Sequence, residues 1–202
     1  MFTLGPLATN AYLLTDRETS RAIVIDPGAH PEPLLERIED LHVEAILLTH
    51  THFDHIAGVD EVRNLKKCPV YVHALEADWL SDPLLNGSAR WPEVGGEVSI
   101  RAADHLIREE GELELLGRKF RVLHTPGHSP GSVSYLYQSH LFSGDVLFRQ
   151  SVGRTDLPGG SSKELFASIQ DKLLSLPLET TVYPGHGPVT TLEQEKRDNP
   201  YL

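Results

Sequence analysis

The chain has 202 residues, of which 40% are hydrophobic, with 29 acidic and 18 basic side chains and one cysteine. This composition excludes a disordered chain, a fibre and a disulfide scaffold, because apolar residues suffice for a core and Cys68 has no intramolecular partner. The net charge of −11 repels phosphate backbones, so we expect no nucleic-acid partner. The sequence has neither a basic leader nor the roughly 18 apolar residues of a membrane span, and we expect no membrane contact and a cytoplasmic location.

In the first half of the chain, short β-rich runs closed by turn residues predict strands over 10–16, 22–28, 44–50 and 69–74. Apolar side chains about one turn apart predict helices over 31–41 and 56–67. Residues 74–103 are rich in helix and strand breakers, and we predict an irregular connection or a lid there.

From residue 104 the pattern returns to strands. The run "GELELLGRKFRVLHT" predicts a hairpin turning at Gly117-Arg118, and "SVSYLYQ" with "HLFSGD" predicts a second pair around Ser139-His140. We predict a helix over 161–177 capped by Ser161 or Ser162, a strand in "ETTVYPGHG" and a short helix from about 191. Without repeats or linkers, the pattern predicts one domain over residues 1–202, with sheets covered by helices.

The densest group of polar side chains is in "LLTHTHFDHIAG", where His50, His52, Asp54 and His55 directly follow an apolar strand. Imidazole nitrogens and carboxylate oxygens are ligands for zinc, iron and manganese. In an extended segment His50 and His52 point the same way and can reach one ion. Asp54 and His55 lie beyond them, where a short turn can direct them to a second ion. A single histidine here would be an ordinary loop residue, but this cluster predicts a metal site.

Two coordination shells need more ligands than this segment offers. His128 lies in "TPGHSPGS", Asp145 ends "LFSGD" and His186 lies in "VYPGHGP". Each follows an apolar run, where a rigid scaffold can direct a ligand side chain. We predict these three as the remaining ligands, whereas the other histidines, His73 and His124 among them, lack neighbours of ligand type.

The motifs "THTHFDH", "TPGHSPGS", "SGD" and "PGHG" resemble, in order and spacing, those of the metallo-β-lactamase-fold hydrolases, from Asp26 to His186. Within that family the chain looks most like the glyoxalase II (hydroxyacylglutathione hydrolase) group of thioesterases. The resemblance implies an α+β fold, a four-layer αβ/βα sandwich with metals at the edge between two sheets. It also implies which ligands hold each ion: His50, His52 and His128 for one, Asp54, His55 and His186 for the other, with Asp145 bridging.

The same resemblance implies a reaction. Two divalent ions, zinc in the first place and iron or manganese as alternatives, would lower the pKa of a shared water from about 15.7 toward about 7. The resulting hydroxide would attack the carbonyl of a small thioester resembling S-acylglutathione. Asp54 would be the catalytic residue that orients this nucleophile, and Asp26, at the end of "VIDPG", would support the cluster without binding metal.

Two arginines follow Asp145 in "VLFRQSVGRTDLPGG". Arg149 and Arg154 could bind a carboxylate of an anionic substrate through their guanidinium forks. In the resembling thioesterases a basic residue at the position of Arg154 contacts glutathione. A solvated or salt-bridged arginine is the alternative at both positions.

Two departures leave the recognition of glutathione open. Full-length glyoxalase II enzymes carry a C-terminal helical domain, whereas we expect none in this chain, which stops at Leu202. They also carry a tyrosine shortly after the last metal histidine, where this chain has Gly187 and Pro188.

Other reactions of the fold remain alternatives. Persulfide dioxygenases share the "GRTD" stretch and use a single iron on residues corresponding to His50, His128 and Asp145, although the full second set of ligands here favours two metals. A lactonase or an esterase would use the same hydroxide. β-Lactamases of the fold usually lack an aspartate equivalent to Asp145, which argues against antibiotic hydrolysis. Nucleases of the fold carry a large insertion that neither the length nor the charge fits.

Overall fold

The computed structural model describes residues 1–16 and 18–202. The chain forms two compact units. Unit 1 comprises residues 1–108 and 114–118, and unit 2 comprises residues 109–113 and 119–202. The single domain over residues 1–202 stays a prediction.

Unit 1 is built on a sheet whose strands are β1 (Phe2–Leu4), β2 (Thr9–Thr15), β3 (Arg21–Ile25), β4 (His42–Leu47), β5 (Val70–His73) and β6 (His105–Ile107). They are hydrogen-bonded in that order, antiparallel from β1 to β3 and parallel from β3 to β6. Parallel neighbours need crossover connections, which here carry the helices. These are α1 (Glu32–Ile38), α2 (Phe53–Ile56) and α3 (Val59–Lys66), followed by 3₁₀ helices over Ala74–Ser81, Ser88–Arg90 and Pro92–Val94.

The core of unit 1 forms where the parallel strands meet these helices. Buried side chains of β4 and β5, such as Ile46 and Val70, pack with Leu34 of α1 and Val62 of α3. Cys68 is buried in the same cluster, and burial raises the pKa of its thiol, as expected for a small apolar core residue. This packing fixes the end of β4, from which the histidine-rich segment starts.

Unit 2 contains most of a second sheet, whose strands are β7 (Gly111–Leu115), β8 (Arg118–His124), β9 (Val133–Tyr137), β10 (His140–Gly144), β13 (Thr181–Pro184) and β14 (Thr190–Thr191). Their order is β14-β13-β10-β9-β8-β7, and a separate pair is formed by β11 (Leu147–Phe148) and β12 (Ser151–Val152). Helix α4 (Ser162–Ala167) continues into a π-helical segment over Ser168–Leu173, and α5 (Leu192–Asp198) follows β14. The apolar faces of these helices, including Leu165 and Leu192, are buried with Leu141 and Val182 of the sheet.

The predicted strands and helices are largely confirmed, although β1, β11 and β12 were not predicted and three predicted elements differ in detail. The first hairpin turns at Leu116 and Gly117, both at positive φ, because β8 already begins at Arg118. The helix predicted over 56–67 begins only at Val59, as α3, because the separate short helix α2 ends at Ile56 and Gly58 lies between the two. The helix predicted over 161–177 turns π-helical after Ala167, although Ser161 caps it as predicted by accepting a hydrogen bond from the Glu164 amide.

Gly58 divides α2 from α3 because the chain passes very close to the end of β3. Its amide donates to the Pro27 carbonyl at 2.9 Å, and a Cβ at this position would lie 2.3 Å from the Gly28 carbonyl oxygen. The contact is with backbone, which cannot rotate away. A glycine is therefore required at this junction.

Replacing Gly58 by alanine is expected to lower the free energy of unfolding by about 1–3 kcal/mol, because the added methyl group forces the backbone apart. Urea denaturation of both proteins measures the difference. Gly111→Ala is the matched control, because a Cβ there meets no atom within 4 Å. Equal stability of the two variants would contradict the close approach at Gly58.

In the described part of the chain, every helix is too short or too polar to cross a bilayer.

Candidate metal centre

The histidine-rich segment continues directly from β4. His52 is extended, with φ −64° and ψ 144°, and it precedes the first turn of α2, which carries Asp54 and His55. An extended backbone places His50 and His52 on one side, and the helical turn then redirects the next two ligand candidates. All four are buried, at 0–9% exposure. The local arrangement predicted from the spacing is therefore present in unit 1.

Three imidazoles of this segment lie close together. The ring centroid of His50 is 4.9 Å from that of His52 and 4.2 Å from that of His55. The Nε2 atom of His55 lies 3.5 Å from Oδ2 of Asp54. Ligand atoms about 2.0–2.1 Å from a tetrahedral cation are roughly 3.3 Å apart, so this separation is close to that of two ligands of one ion. The donor set and its spacing fit a divalent metal such as zinc or iron.

Asp26 connects two of these imidazoles from behind. Its carboxylate, 2% exposed at the end of β3, accepts hydrogen bonds from the Thr49 amide at 2.8 Å and from the Thr49 hydroxyl at 2.6 Å. The same carboxylate lies 3.0 Å from Nδ1 of His55, and the Thr49 hydroxyl lies 3.1 Å from Nδ1 of His50. Because the Thr49 hydroxyl donates its hydrogen to Asp26, its oxygen is free to accept from Nδ1–H of His50, and the carboxylate accepts from Nδ1–H of His55.

A histidine that donates through Nδ1 presents the lone pair of Nε2 to a cation. The contacts of Asp26 therefore set the tautomers and ring orientations of His50 and His55. Asp26 therefore lies where it can support the cluster, and its role as a support that does not bind metal stays a prediction. The sequence did not reveal the contribution of Thr49.

Asp54 is also fixed by a residue that the sequence did not single out. The Thr9 hydroxyl, 1% exposed at the start of β2, donates to Oδ2 of Asp54 at 2.7 Å. The two residues are 45 positions apart, so no local motif reveals the contact. Thr9 restricts the rotamer of a predicted metal ligand.

Unit 2 brings together the other three predicted ligands. Oδ2 of Asp145 lies 3.7 Å from Nε2 of His128 and 3.5 Å from Nε2 of His186. Asp145 follows β10 and His186 follows β13, and these strands are parallel neighbours, so their carboxyl ends meet at one edge of the sheet. Both separations exceed those of good hydrogen bonds and are close to those of ligands around one cation.

The segment after Asp145 supports His128 through its main chain. Nδ1 of His128 lies 2.8 Å from the carbonyl oxygen of Arg154, which again leaves Nε2 for a metal. The Arg154 guanidinium makes two hydrogen bonds of 2.7 Å to Asp156, and these raise the pKa of the guanidinium. Arg149 is exposed and lines a polar pocket beside α5 with Gln194 and Arg197. A substrate role for both guanidinium groups stays a prediction.

The sequence profile of the metallo-beta-lactamase superfamily matches residues 4–186, which include every predicted metal ligand. The chain belongs to the metallo-beta-lactamase superfamily. This confirms the resemblance seen in the motifs, and the predicted α+β fold class of that family is confirmed with it.

Two curated relatives in the superfamily match over nearly their whole length. A protein of Bacillus subtilis described as the probable metallo-hydrolase YqgX is 46% identical, over 98% of this chain and 94% of its own. The hydroxyacylglutathione hydrolase GloC of Haemophilus influenzae is 38% identical, over 96% of this chain and 92% of its own.

Solved structures of the superfamily also match. The BLEG-1 B3 metallo-beta-lactamase is 51% identical with a TM-score of 0.95, over 100% of this chain and 97% of its own. The protein TTHA1623 in a di-iron-bound form is 45% identical with a TM-score of 0.85, over 99% and 98%. ETHE1 from Myxococcus xanthus is 31% identical with a TM-score of 0.75, over 96% and 79%.

Proposed function

We propose that this protein is a dinuclear metal-dependent hydrolase that cleaves small thioesters of the S-acylglutathione type. The observation that carries the proposal is the spacing of the proposed ligand side chains in each unit and the way their imidazole rings are held. Imidazoles are grouped with carboxylates at separations near those of metal ligands, and Asp26, Thr49 and the Arg154 carbonyl hold their Nδ1 atoms. The proposed ligands of the two ions together are His50, His52, Asp54, His55, His128, Asp145 and His186.

The relatives support both parts of this proposal. GloC of Haemophilus influenzae is described as a hydroxyacylglutathione hydrolase, and it matches 96% of this chain. TTHA1623 was solved with two irons, which supports a dinuclear site that accepts iron as well as zinc.

Bound divalent ions supply Lewis acidity and activate water at neutral pH. The residues of the chain supply orientation. Asp54, whose rotamer is restricted by Thr9, orients the nucleophile toward the thioester carbonyl. Asp26 acts directly on His55 and through Thr49 on His50, and the Arg154 carbonyl acts on His128. These contacts keep the three imidazoles in the tautomer that accepts a cation.

Protein purified without chelator is expected to contain two transition-metal ions per chain and to hydrolyse S-lactoylglutathione. EDTA should abolish turnover, and zinc or iron should restore it, because the proposed nucleophile depends on the ions. Mass spectrometry of the metals and a spectrophotometric assay on one preparation measure both. Turnover that survives removal of the metals, or a preparation without stoichiometric metal, would contradict the proposal.

A second candidate function is persulfide dioxygenation. The match to ETHE1 from Myxococcus xanthus and the "GRTD" stretch at 153–156 favour it. Oxygen uptake with glutathione persulfide by the iron-loaded protein distinguishes this reaction from hydrolysis. We expect none, because the second group of ligands is complete.

A third candidate is β-lactam hydrolysis, since BLEG-1 is described as a B3 metallo-beta-lactamase and is 51% identical. The sequence argument from Asp145 against antibiotic hydrolysis therefore does not exclude it. A chromogenic cephalosporin, assayed beside the thioester with the same zinc-loaded preparation, gives the ratio of kcat/KM values that decides between the two substrates.

A further inference from the structure

Glu76 is a fully buried carboxylate that has no part in the proposed hydrolysis. It lies in the 3₁₀ helix Ala74–Ser81, which follows β5, and its exposure is 0%. Its Oε2 atom accepts two hydrogen bonds from one residue, from the Thr51 amide at 2.8 Å and from the Thr51 hydroxyl at 2.9 Å. Thr51 is itself fully buried and lies between His50 and His52 in the chain.

The hydrogen bonds of Glu76 act on the side of the segment opposite to the two histidines. Successive side chains of such a segment point to opposite sides, so Thr51 points away from the side that carries His50 and His52. Glu76 binds both the amide and the hydroxyl of Thr51, and so it fixes the peptide plane and the side chain of the residue that joins the two ligands.

The same 3₁₀ helix contacts one of the ligands directly. Trp79, 8% exposed, has its indole ring centroid 6.2 Å from that of the His52 imidazole. Glu76 and Trp79 lie one helical turn apart, so the same turn of this 3₁₀ helix contacts both Thr51 and His52. This part of the 74–103 region therefore contacts the histidine segment directly.

The chemical nature of Glu76 also matters. Burying a carboxylate costs more than burying a neutral amide, and a glutamine oxygen could accept the same two hydrogen bonds. What the carboxylate adds is negative charge close to the ligand segment. In a buried environment such a charge attracts cations more strongly than it would in water.

We propose that Glu76 is a positioning residue of the metal centre, which holds Thr51 in place and adds a negative charge that favours divalent cations. The proposal rests on the metal centre of the proposed function. It extends the supporting network of Asp26 and Thr49 to a second carboxylate on a different element of unit 1.

The test compares Glu76→Gln and Thr51→Val with Glu195→Gln as matched control. Glu195 is also buried, at 1% exposure. In unit 2 its carboxylate accepts hydrogen bonds from the main-chain amide of Gln150, the Thr190 hydroxyl and Nδ2 of Asn199. Competition with a chromophoric chelator gives the zinc affinity of each protein. The visible spectrum of the cobalt-loaded protein reports the ligand geometry independently of turnover.

We expect Glu76→Gln to weaken zinc binding by about 10- to 100-fold, the range for groups that hydrogen-bond near metal ligands, and to change the cobalt spectrum. Thr51→Val, which keeps the amide hydrogen bond, should have a smaller effect of the same kind. Glu195→Gln should keep the affinity and spectrum of the unmodified protein. The proposal would be overturned if Glu76→Gln, like Glu195→Gln, lost only thermal stability and kept its zinc affinity and cobalt spectrum.

Two further outcomes are also decisive. Should Glu76→Gln fail to fold, Thr51→Val with unchanged zinc affinity and cobalt spectrum overturns the proposal, and a weakened affinity supports it. An unmodified protein that binds no zinc or cobalt would overturn the proposed function, and the role of Glu76 with it. Normal binding by the unmodified protein and by both variants would overturn the role of Glu76 alone.

Discussion

Asp145→Asn is expected to lower kcat/KM for the thioester by more than about 100-fold, beyond the cost of losing a group that only hydrogen-bonds to a ligand. One oxygen of Asp145 lies within 3.7 Å of the Nε2 atoms of both His128 and His186. The amide keeps the shape of the side chain but removes the negative charge that would face the cations. The metal content should fall below two ions per chain, measured by mass spectrometry on the folded variant.

Asp171→Asn is the matched control for this substitution. Asp171 is an exposed aspartate of the π-helical segment in the same unit, and its replacement should leave metal content and turnover unchanged. An Asp145→Asn variant with both metals and normal kcat/KM would show that Asp145 is not a ligand, and the assignment of the bridging position would be wrong.

Asp26→Asn is expected to weaken metal binding by about 10- to 100-fold, with a corresponding loss of kcat. Oδ1 of Asp26 accepts a hydrogen bond from the Thr49 amide, whereas Oδ2 accepts one from the Thr49 hydroxyl and lies 3.0 Å from Nδ1 of His55. An asparagine has only one oxygen, so its NH₂ group would face the donors on one of these two sides. Either Thr49, which holds His50, or the His55 imidazole would then lose its fixed position. Chelator competition measures the affinity, and circular dichroism checks that the variant is folded.

Asp104→Asn serves as the control for this second substitution. Asp104 also accepts a main-chain hydrogen bond, from the Val70 amide at 2.8 Å, and it pairs with Arg63. Its replacement alters a carboxylate that joins elements of unit 1 without contacting Thr49 or His55. If the two variants bind metal equally well, Asp26 has no specific role in orienting the histidines.

The proposed ligands could be predicted from the sequence because each follows an apolar strand within a short motif. The local chain geometry then determines much of the outcome: an extended run brings His50 and His52 to one side, and the next helical turn carries Asp54 and His55. The strands were predicted for the same reason, since a buried strand gives a short apolar run between turn residues.

The supporting residues could not be found in this way. Thr9 meets Asp54 and Glu76 meets Thr51 across sequence separations of 45 and 25 residues, which only the packed sheet brings together. Arg154 was predicted for its guanidinium, but its contact with His128 is made by a carbonyl oxygen that every residue possesses. Sequence patterns identify side-chain chemistry, whereas these contacts depend on backbone geometry.

The contacts of Asp26 make the orientations of the His50 and His55 imidazoles depend on one carboxylate. In the ligand partition that the family resemblance implies, His50 and His55 belong to different ions. Binding of the first ion would therefore immobilise Thr49 and Asp26 and remove part of the ordering cost for the second. The two ions would load cooperatively, and partial metal depletion would leave a mixture of empty and fully loaded molecules instead of a uniform population with one ion each.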